Sequence, residues 1–355
     1  NSLPGNNRQL TLTGDSASFS SVVSGVGSGT GAGLTLNISG AVVFSGTVAG
    51  TSGILSTNSL GTTQFQENVT LGDGDTGSSF AGSVKFDGLN WNSYDGLTSG
   101  NATPLTSDTV SLNSNGGAIA FGNTVDGTQN LTLIAGSGSI RFDASVGDTT
   151  KLSSLQITSA SDVTFSGTVD ANALTQLAGT GTTTFSETVI LSGALSLTGN
   201  HVTITGRVES GGTIAVMNSG TFTTTTDGSL VSADSFAQVG AGSSSIGANI
   251  TTAGDLSFAS AVTLTADVAL NSRNAGSISF GGTLDGTFDL TLTAGGEDVS
   301  FLGFVGASAK LADISIVSAN DVTVASILRA TTFTQTAGTG TTLFSGATTL
   351  DGELD

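Results

Sequence analysis

Asp73 and Asp75 stand two apart in Leu71-Gly-Asp-Gly-Asp-Thr-Gly77, the spacing at which alternate carboxylates of a turn face one calcium ion. The bidentate glutamate that closes such a loop would fall at position 84, which is Val84. Calcium held by Asp73 and Asp75 and a plain acidic turn are therefore the two readings of this stretch. His201 is the only histidine, so a multi-histidine metal site has no second imidazole, and a solvent-facing turn residue is the plainer reading. Cleavage of a polysaccharide would need paired carboxylates, or calcium-bound aspartate with a basic partner, gathered on one face. The basic residues Arg8, Lys85, Arg141, Lys151, Arg207, Arg273, Lys310 and Arg329 are scattered instead, and Lys151 and Lys310 fall at matching places of a repeat, which marks them as scaffold. No catalytic residue is expected.

Trp91 and Tyr94 are the only Trp and Tyr, and both lie in Asp87–Gly96, with Pro104 shortly after. An aromatic pair on a protruding loop could bind sugar rings. The alternative is a loop folded over the side of the core, with Trp91 covering apolar surface.

The elements that must carry these residues are set by repetition. The stretch Asp126–Leu195 returns at Asp285–Leu354 without a gap, and 33 of the 70 aligned residues are identical. Inside it runs a shorter unit, an apolar residue, any residue, Phe, then about four residues and Val or Leu. Examples are Ile119-Ala-Phe121, Ile140-Arg-Phe142, Val163-Thr-Phe165, Ile278-Ser-Phe280 and Val299-Ser-Phe301. The steps are mostly ~21 residues, within the range of stacked-turn repeats. Apolar residues alternating with Thr or Ser predict strands with one buried face. Gly, Asn and Asp between them supply the left-handed backbone of tight corners.

A turn of this kind cannot bury its own inward residues, whereas stacked turns can. The expected fold is all-β, a parallel β-helix (β-solenoid), right-handed as is usual, of about 16 coils of ~21 residues. Residues 1–9 read as a lead-in and 10–355 as a single solenoid, with a partial long copy over 10–105, a full copy over 106–263 and a partial copy over 264–355. The 35-residue step from Phe86 to Phe121 reads as an insertion at 87–104. Tandem β-sandwiches would not show one motif every ~21 residues. A propeller blade of ~40 to 50 residues would leave the extra Phe of each half-period unexplained.

The net charge of −19, from 27 acidic and 8 basic residues, argues against nucleic acid and anionic membranes as partners. No stretch reaches the ~20 apolar residues of a membrane-spanning helix. The chain has no cysteine, which excludes disulfides. The end at Asp355 carries no capping turn, so either a longer chain or end-to-end stacking of copies is expected.

Ice binding would need Thr-x-Thr aligned over many turns. Thr11-Leu-Thr13, Thr203-Ile-Thr205, Thr263-Leu-Thr265 and Thr291-Leu-Thr293 have the pattern, but Gln156, Ser196 and Ser315 occupy comparable outward places, so a broken ladder is expected. Threonine there reads as a strand former.

The pattern Leu-Thr-Leu-x-Ala-Gly-x-Gly-x-Ile-x-Phe-x-x-x-Val at Leu131–Val146 resembles the haemagglutinin-like and autotransporter-like β-helix repeats of large bacterial surface proteins. The resemblance covers nearly all of the chain from Leu10 onward and is specific for architecture. It implies a secreted or cell-surface structural protein, a stalk or fibre in adhesion or matrix, with copies of itself, surface glycans or other cells as partners. The alternative is a carbohydrate-binding or carbohydrate-cleaving β-helix using 87–104.

Overall fold

The computed structural model describes residues 10–24, 33–50, 53–56, 61–72, 77–107, 109–273 and 276–355. It is an all-β parallel β-solenoid of about 15 turns with ~21-residue spacing. No helix occurs among the described residues. The chain divides into two compact units, Asn1–Gly181 and Thr182–Asp355.

In the first unit the turns supply short strands to three parallel sheets, with Val146 contributing only an isolated bridge in its turn. One sheet stacks Ser78–Phe80, Leu97–Ser99, Ile119–Phe121, Ile140–Phe142 and Val163–Phe165. A second stacks Ala17–Phe19, Val42–Phe44, Thr62–Phe65, Ser83–Asp87 and Thr103–Thr106. The third runs through Val69–Thr70, Asn90–Asn92, Val110–Asn113, Asn130–Ile134 and Ser154–Ser159. Side chains alternate in and out along a strand, so residues in register stack like on like inside. Phe44 and Phe65 lie with ring centroids 4.8 Å apart, and Phe142 lies 5.0 Å from Phe121 and 4.8 Å from Phe165. Each such fully buried side chain contributes roughly 1.5 to 3 kcal/mol.

The phenylalanines therefore do not form one series. Phe44, Phe65 and Phe86 belong to one sheet and Phe121, Phe142 and Phe165 to another. This corrects the expected insertion at 87–104. Phe86 is followed in its own ladder by Leu105, and Phe121 is preceded in its ladder by Ser99. Residues 87–104 lie in the regular winding, and the long step between phenylalanines arises because Ser99 stands where Phe is usual. Its hydroxyl donates to the Asn101 carbonyl (3.0 Å) and accepts from Thr103 (2.8 Å), which satisfies both hydroxyls inside the core.

The second unit has the same plan. One sheet stacks Thr182–Phe185, His201–Ile204, Thr221–Thr224, Ser243–Ile246 and Val262–Leu264. Another carries Phe258, Phe280 and Phe301 in register, with Val324 and Phe344 following.

Local geometry recurs at matching places of the long sequence repeat. The ladder register slips after Leu133 and again after Leu292. Gly147 and Gly306 both turn left-handed, at φ +75° and +71°, and a Cβ on either would collide with a carbonyl oxygen of the turn above, that of Asp170 or Arg329. Only glycine fits there, because the corner needs both the left-handed backbone and the close approach.

Candidate functional site

The carboxylates are engaged at the corners. Asp126 accepts the backbone N–H of Thr149 (2.8 Å) and of Thr150 (3.2 Å), and its counterpart Asp285 accepts those of Ser308 (2.7 Å) and Ala309 (3.1 Å). In the second unit Asp267 caps the amide of Asp289, which caps that of Asp313; Asp255 caps Ser277, and Asp298 caps Asp321. Each carboxylate thus satisfies a donor of the following turn that the strand ladder leaves unpaired. For these residues a single carboxylate suffices, because each cap needs one acceptor.

Two of these groups have shifted acidities. At Asp87 the Ser107 hydroxyl (2.6 Å) is the main cause, and with Thr106, Gln64 and the Lys85 charge it outweighs partial burial and lowers the pKa. At Asp126 burial raises it, but the amides of Thr149 and Thr150 and nearby hydroxyls together prevail and lower it. Both hold their negative charge more firmly than a free aspartate, the opposite of what a general acid needs.

Trp91 is 1% exposed, which corrects its placement as a ligand platform. The strand Asn90–Asn92 points the indole inward, where its ring meets Phe65 edge-on at 5.2 Å, Phe86 at 6.0 Å and Phe80 at 6.2 Å. In the same turn Ser99 removes aromatic bulk, and Trp91 supplies it. Among the described residues the indole N–H has no hydrogen-bond partner, a cost accepted for the volume it fills. Tyr94 is 51% exposed and stands on the surface without the indole beside it. Asp73 and Asp75 lie outside the described residues, so the calcium reading of that turn is neither placed nor displaced. Among the described residues no group of three or more His, Cys, Asp or Glu side chains could hold a metal ion.

His201 is half-buried, and its Nδ1 accepts the Thr221 amide at 3.0 Å, so the ring serves as one more corner cap. Arg141 pairs with Asp143 (3.1 Å), Arg207 with Glu209 (2.6 Å) and Lys310 with Asp351. These are surface pairs, each worth roughly 0 to 1 kcal/mol. An open groove of the first unit, about 410 Å³, is lined among the described residues by Ser107, Thr109, Thr128, Gln129, Asn130 and Ser153.

The Thr-x-Thr ladder is broken, as expected, but one of its columns is continuous. In the second unit Thr184, Thr203, Thr223, Ser245 and Thr263 are in register on five successive turns of one sheet, all pointing outward. This single column of hydroxyls runs without a gap, with Ser245 in place of Thr, and Ser196 and Ser315 lie on other strands than those that carry Thr203 and Thr263. Spacing along the chain shows that a residue faces outward but not which sheet it is on. The ladder ends where Asp285 follows Thr263. At ~4.8 Å per turn the five hydroxyls extend over about 19 Å. The columns beside it are less regular: Thr182 is followed by His201, and Thr265 stands one turn beyond Gly247.

Comparison with protein-family models, with curated proteins and with solved structures finds no match to the chain.

Proposed function

We propose that this chain is a structural protein, a repetitive stalk or filament-forming segment of a cell-surface fibre or adhesin, exported from the cell and carrying no catalytic step. The observation that supports this is the winding itself. In each unit turn follows turn in parallel register, large apolar residues stack inside, and the acidic side chains act as corner caps. Such a body gains length by adding turns without a new kind of contact. The resemblance of Leu131–Val146 to haemagglutinin-like and autotransporter-like repeats points the same way. Electron microscopy of the native protein without ligand tests this: filaments support the reading, and discrete particles at every concentration defeat it.

The hydroxyl ladder favours a second reading, binding to the ordered water of an ice surface. Five outward hydroxyls at a constant step, on a sheet face whose strands from Thr182 to Leu264 carry no Asp, Glu, Lys or Arg, contrast with the charge of −19 on the whole chain. Thr203→Glu with Thr223→Glu should abolish inhibition of ice recrystallisation while leaving the melting curve within about 0.5 kcal/mol of stability. If the native protein does not slow recrystallisation at all, the second reading is lost and the first is untouched.

A further inference from the structure

We draw no further inference here: the strongest candidate, the exposed apolar corner of the second unit formed by Leu302 and Phe304, carries none because nothing in the structure shows what covers it.

Discussion

Phe185 and Phe344 hold the same place in the 159-residue repeat, yet they lie in different sheets of the second unit. Phe185 pairs with Ile204 and Phe344 with Val324. From the strand Thr182–Phe185 the chain passes two strands to reach Leu195–Gly199, then climbs seven ladder steps to Thr342–Phe344. With three strands to a turn, the repeat is seven turns and two strands long. Equivalent residues are therefore carried round to another sheet, and they remain inward because all three sheets present the same alternation to one interior.

Stacking inside the turns should dominate stability. Phe142 is fully buried between Phe121 and Phe165, whereas Leu343, on an outward face, is 51% exposed. Phe142→Ala is expected to cost ~3 to 5 kcal/mol and Leu343→Ala less than about 0.5 kcal/mol, measured by urea unfolding. Equal effects from the two would remove the inward phase assigned to Phe142.

Trp91 gives a direct optical readout, since it is the only tryptophan. Its emission should be that of an indole in apolar surroundings and resist acrylamide quenching until the protein unfolds. Adding oligosaccharides should leave it unchanged. A solvent-exposed emission maximum in the folded protein would return Trp91 to the surface.

The solenoid was legible because its two periods are imposed by packing. Alternation in Ile140-Arg-Phe142 reports a strand, and a motif every ~21 residues reports a turn. What the spacing could not give was the sheet on which a residue sits, since three sheets share one pattern. That is why Phe86 and Phe121 looked like neighbours across an insertion, and why the spacing did not show Thr203 and Thr263 in one column. Trp91 stayed open between a ligand platform and a cover for apolar surface for a related reason: a lone aromatic outside the Phe rhythm shows its place only when Ser99, in the same turn, shows the space it fills. The corner carboxylates gave no signal of their own, because a capping Asp and a solvated Asp look alike in sequence.

Acid should act on the corners. Because the pKa of Asp126 is lowered by folding, its contribution is present above the ordinary aspartate value of ~3.9 and is lost as pH falls through the folded value. Asp126→Asn keeps an acceptor for Thr149 and Thr150 but removes the charge. At neutral pH the variant should be less stable by at most about 1 kcal/mol, because solvent screens a partly exposed carboxylate. The gap should close as pH drops below about 4. Unfolding curves at pH 7, 5 and 3 read this, and a gap that widens on acidification would contradict the capping role.

If parallel turns stacked in register build a fibre, as proposed, diffraction from aligned native material will show it. Filaments with a strong reflection at ~4.8 Å along the fibre axis, the strand spacing of turns stacked end to end, are expected. Filaments with that reflection perpendicular to the axis, or native material that forms no filaments, would contradict it.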